Sequence, residues 1–133
     1  MRRIRDYILQ SHRDLEAARN MLSSGMYEWT CFLSHQCCEK AIKAVLEYNG
    51  IIERGHSLKR LLHVYSSTTG NNVPHALSDN IGKLDVYFIS SRHVTAFDIG
   101  TPMEHHSRLM AEEAISIAED LLEWTEKEIG WEI

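Results

Sequence analysis

Apolar residues fall at Trp29, Phe32, Leu33, Cys37, Ala41, Ala44, Val45 and Tyr48 in the stretch YEWTCFLSHQCCEKAIKAVLEY. Steps of three and four dominate, which predicts a helix over Tyr27–Tyr48. Its stripe is wide, so the helix should touch several neighbours. No proline or glycine interrupts it, and Asn49-Gly50 follows as a C-terminal stop. Before it, Ile4, Ile8, Leu15, Ala18 and Leu22, widened by Tyr7 and Met21, predict a helix from about Arg3 to Ser23 that ends at Gly25. A short turn separates the two, so an antiparallel hairpin of helices about 30 Å long is expected.

After the linker IIERGH, Ser57 reads as an N-cap, and Leu58, Leu61, Leu62 and Tyr65 predict a shorter third helix. SSTTGNNV reads as a loop by composition. Pro74 suits a first helical position, and Leu77, Ile81, Leu84 and Phe88 follow at helical steps, with Gly82 as a weak point. The segment Ser90 to His106 has no period and holds Arg92, three histidines, Gly100 and Pro102. Loops of this length in small domains are often functional. A last helix from near Ser107 carries Met110, Ala114, Ile117, Leu121 and Leu122 inward, with Ala118 and Ile129 at the edges. Its outer face is acidic to the end, which the helix dipole disfavours and a basic neighbour such as the first helix would offset. No strand-like alternation, repeat or low-complexity tract appears. The pattern predicts an all-α bundle with long first, second and last helices.

At 133 residues the chain suits one domain, 1–133, with 44% hydrophobic and 25% charged residues. A net charge of −5 argues against indiscriminate nucleic-acid binding, and no DNA partner is expected. Arg2, Arg3, Arg5, Arg13 and Arg19 give the first helix a basic, solvated face. Cys31, Cys37 and Cys38 share one helix and read as reduced thiols, which favours a cytoplasmic location. No signal peptide or membrane span is visible.

Three segments resemble the HEPN (higher eukaryotes and prokaryotes nucleotide-binding) family. SHQCCEKAIKAVL, Ser34–Leu46, is similar to its QxxEKxxKAxL helix. HSLKRLL, His56–Leu62, is similar to the segment whose histidine opens its third helix. DVYFISSRHVTAF, Asp85–Phe97, followed by a helix with Glu112-Glu113-Ala114, resembles the DxYYxxxRYPxAF segment of small archaeal and bacterial members. The resemblance implies an up-and-down bundle of four main helices plus a short extra one, commonly dimeric. It also implies association with a nucleotide, RNA or a small nucleotidyltransferase partner, in a toxin–antitoxin type pair.

The chain departs from the family's ribonucleases, in which four to six residues separate an arginine from a histidine before the last helix. Here His93 follows Arg92 at once, and twelve residues intervene before His105. Arg5 and His12 match the spacing on the wrong helix, and the tyrosine-bearing extension of toxin members is missing. The expected function is therefore a non-catalytic module in which Arg92, Lys40 and Lys43 hold phosphate. The alternatives are a ribonuclease using Arg92 with His93 or His105, and a homodimeric scaffold without a ligand. Asp98 or Glu104 could instead claim Arg92, and Glu39 could claim Lys43 at i, i+4. Neither His105-His106 nor His35 with Cys38 has the spaced partners of a metal site, so no metal and no cofactor is expected. Trp29, Trp124 and Trp131 read as core or interface anchors.

Overall fold

The computed structural model describes residues 3–131; Arg2, assigned above to the basic face, lies outside them. The helices are α1 (Ile4–Ser23), α2 (Tyr27–Tyr48), α3 (Leu58–Thr69), α4 (His75–Ser90), α5 (Pro102–His105) and α6 (Arg108–Ile129). A 3-10 turn at Val94–Ala96 lies between α4 and α5. There is no strand among the described residues.

The α1–α2 hairpin forms as its stripes require. Gly25 closes the turn at φ 76°, where a side chain would be strained. Two buried hydroxyls then lock the helices together: Ser11 donates to the Cys37 carbonyl, and Thr30 to the Ala18 carbonyl, each at 3.1 Å. α2 is the central element and packs on α1, α3, α4, α5 and α6. Its buried set includes Cys31, Cys37, Cys38, Ala41, Ile42, Ala44, Val45 and Leu46, so the wide stripe does meet several neighbours. α6 lies against it through Ala111, Ala114, Ala118 and Leu121, all inaccessible to solvent. Small residues let these two helices approach closely. The acidic face of α6 meets α1: Glu119 pairs with Arg19 at 3.1 Å, and Glu126 contacts His12.

Three local readings change. α3 continues through Ser66–Thr69, which composition assigned to a loop. Thr69 donates its hydroxyl to the Tyr65 carbonyl at 2.7 Å, and Gly70 ends the helix at φ 75°. Pro74 sits one residue outside α4 as its cap. The Ser90–His106 segment also contains ordered structure, the 3-10 turn and α5. Proline at the first position and a Thr101–Glu104 capping box account for α5.

Candidate functional site

α4 delivers Arg92 to the edge of the bundle. The chain leaves the helix after Ser90, and the Arg92 side chain folds back on the last turn. Its Nε and Nη2 donate to the Phe88 carbonyl at 3.0 and 2.7 Å, satisfying a carbonyl that the helix end leaves free. The guanidinium carbon lies 4.4 Å from the ring centre of Phe32 on α2 and 4.7 Å from that of Phe88. Both distances suit cation–π attraction. Among the described residues no carboxylate forms an ion pair with Arg92, while Glu104 is engaged by Thr101. The arginine is held in place without being neutralised.

Phe88 also carries His56, whose ring stacks on it at 4.7 Å. His56 precedes α3, and its Nδ1 donates to Glu39 Oε1 at 2.8 Å. The second oxygen of Glu39 takes Lys43 Nζ at 3.0 Å. Burial works to raise the Glu39 pKa, but the hydrogen bonds from His56 and Lys43 outweigh it and hold the carboxyl below its ordinary value. Lys43 is thus bound by the i, i+4 carboxylate that its spacing offered. The chain Lys43–Glu39–His56–Phe88–Arg92 joins α2, the start of α3 and the end of α4.

Asp85 fixes this junction from below. Its oxygens accept the backbone N–H groups of Leu58 at 2.7 Å and Lys59 at 3.1 Å, so a residue of α4 caps α3. Burial would raise its pKa, yet hydrogen bonds from His35, Leu58 and Lys59 hold it below the ordinary value. The fully buried His35 donates from Nε2 to the His56 carbonyl at 2.8 Å. A shallow concavity of about 160 Å³ remains between His56, Ser57, Asp85 and Phe88.

The other expected residues lie elsewhere. Lys40 turns to α1 and pairs with Asp14 at 2.6 Å. His105 is stacked on Phe97 at 3.9 Å and donates from Nε2 to the Ile99 carbonyl at 2.6 Å. His106 is buried, donating from Nδ1 to the Pro102 carbonyl at 2.6 Å and accepting from Ser90 at Nε2, 3.1 Å. Both rings hold the loop together. His93 is exposed beside Arg92. The described residues contain no cluster of three or more metal-ligating side chains. No helix among them is long and apolar enough to cross a membrane.

Arg92 stands out in the sequence, but Phe32 and Phe88, which flank it, and the His56, Glu39 and Asp85 contacts that extend from Phe88 to the start of α3 carry no local signal of being linked. His56 and Asp85 did stand in the segments that carried the family resemblance. What was missing was their convergence, which depends on the α2–α4 packing.

The HEPN domain family model matches residues 4–129. Putative toxin MJ1304 of Methanocaldococcus jannaschii is 31% identical over 124 residues, covering 88% of this chain and 82% of that protein. The crystal structure of TT1696 from Thermus thermophilus superposes with a TM-score of 0.90 at 34% identity, over 96% of this chain and 99% of that one. ST0689, an archaeal HEPN homologue, gives a TM-score of 0.81 at 39% identity, over 97% and 99%. With a family match across nearly its whole length and relatives of this identity and coverage, the chain belongs to the HEPN domain family.

Proposed function

We propose that this chain is a HEPN module of a toxin–antitoxin type pair that engages phosphate, on a nucleotide or RNA, through Arg92, and that its cognate protein is a small nucleotidyltransferase. One observation carries the reading: Arg92 is braced by Phe32, Phe88 and a backbone carbonyl, yet has no carboxylate partner among the described residues. A guanidinium already held in place loses little freedom on binding, and its remaining edge can donate to a phosphate oxygen. The exposed imidazole of His56, stacked on the Phe88 ring that also carries Arg92, offers a face on which a base can lie. The relative named as a toxin supports the toxin–antitoxin setting. Lys43 is linked to this site only through Glu39, which offsets its charge, so Arg92 carries the phosphate contact. Lys40 is assigned to the α1 contact and leaves the proposed site.

The binding role is preferred to ribonuclease chemistry because the arginine–histidine spacing of the family's nucleases is absent: His93 follows Arg92 at once, and His105 and His106 lie in the fold of the loop. A general base needs a free ring nitrogen within reach of the proton it takes; buried His106 has both nitrogens engaged, by Pro102 and Ser90, and the His105 ring is stacked on Phe97 and tied to the Ile99 carbonyl. Calorimetric titration of ATP and of a short single-stranded RNA tests the proposal. The expected result is weak binding that falls with added salt and drops by about tenfold or more in Arg92→Ala, the equivalent of one charge-assisted contact. Equal binding by both proteins would make Arg92 structural. Incubation with a mixed RNA pool should leave the RNA intact; cleavage abolished by both Arg92→Ala and His105→Ala would replace this reading with a nuclease.

A further inference from the structure

We infer that the groove between α3 and α4 is a binding site for a small organic anion with an apolar body, separate from the Arg92 face. α3 and α4 are tied at two points. Asp85 of α4 holds the start of α3, and the loop between Gly70 and Pro74 joins their other ends. The side chains between these ties leave a groove of about 310 Å³. That volume is at the small end of ligand pockets.

The lining is divided by chemistry. Leu62, Ile81 and Val73 form an apolar floor, the first two buried. Lys59, His63 and His75 stand around it, with hydroxyls from Ser66 and Ser78, and no carboxylate lines the groove. This contrasts with a chain whose net charge is −5. Lys40, Lys43, Lys83 and Lys127 each pair with a carboxylate; Lys59, the remaining lysine, has no such partner among the described residues. An ammonium and two imidazoles over an apolar floor select a ligand with one anionic end and a hydrophobic remainder. A bare anion would leave the floor uncovered, and a neutral apolar molecule would leave Lys59 unsatisfied.

Three probes separate these contributions: 1-naphthyl phosphate, 1-naphthol and inorganic phosphate, each titrated into the 15N-labelled full chain and followed by amide chemical shifts. Naphthyl phosphate should shift Leu62–Ser66 and Val73–Ile81 saturably. Naphthol and inorganic phosphate should each bind about tenfold more weakly or worse. Lys59→Gln, on an exposed side chain, should weaken naphthyl phosphate by about tenfold. Ser78→Phe, which fills the groove from an exposed position, should abolish its binding, and Arg92→Ala should leave it unchanged. Shifts confined to other residues, wild-type affinity in Lys59→Gln or Ser78→Phe, or loss of binding in Arg92→Ala would each overturn the assignment. Because Arg92 is a control here, failure of the phosphate face and failure of this groove are distinguishable.

Discussion

A single carboxylate, Asp85, does the work of a helix cap from a different helix. It takes two N–H groups at the start of α3 that no residue of α3 satisfies in this way, and it stands 3.4 Å from the Nε2 of His35. Asp85→Ala should therefore lower stability by about 1–3 kcal/mol at neutral pH, the cost of leaving such donors unpaired. The pH dependence follows from the direction of its shift. A carboxyl whose folded pKa lies below its ordinary 3.8 contributes stability that is complete above that value and is lost as pH falls through the folded pKa. The difference between wild type and Asp85→Ala should thus be constant near neutrality and shrink in strong acid. Urea denaturation at several pH values measures it, and a gap unchanged down to about pH 2 would assign the effect to something other than the ionised carboxylate.

At the scale of elements, α4 has one evident weakness, Gly82 in its middle. Its backbone is helical, and a Cβ built there meets no atom within 4 Å. Gly82→Ala should stabilise the protein by about 0.5–1 kcal/mol by restricting the unfolded chain, seen as a raised urea midpoint. Helix positions were largely legible in the sequence because burial imposes a period on long helices: the bounds of α1 and α2 fall where Gly25 and Asn49-Gly50 suggest. The end of α3 was not, because serine and threonine read as loop formers yet continue a helix when their hydroxyls find carbonyls within it, as Thr69 does. The candidate site was legible only at Arg92. Its surroundings are set by the packing of α4 on α2, which puts Phe32 against Arg92, and by His56, which stacks on Phe88 from the start of α3, all from positions far apart in the chain. Nor could spacing tell that Lys40 would answer Asp14 across the hairpin, since no local pattern links the two residues.

For the whole molecule, α4 presents Val86 and Ile89 outward, 63% and 49% exposed, on the helix that ends at Arg92. Three residues apart on one helix, these two side chains give α4 an exposed apolar strip of the kind that marks an interface. We predict that two chains associate here. Light scattering should give about twice the chain mass of 15.3 kDa, and Val86→Asp with Ile89→Asp should return the monomer. A monomer at every concentration, or a double variant that stays dimeric, would refute the interface. The cysteines bear on how such experiments can be done. All three lie inside the bundle; burial, aided by Glu28, pushes the Cys31 thiol up to about 12, burial and Asp14 do the same for Cys37, and the fully enclosed Cys38 rises too. Thiolate is the reactive form, so the folded protein presents almost none to a maleimide. Nature has in effect left the surface blank for thiol chemistry: one cysteine introduced beside Lys59 or Val86 would take a fluorophore or spin label alone, with the native three left in place.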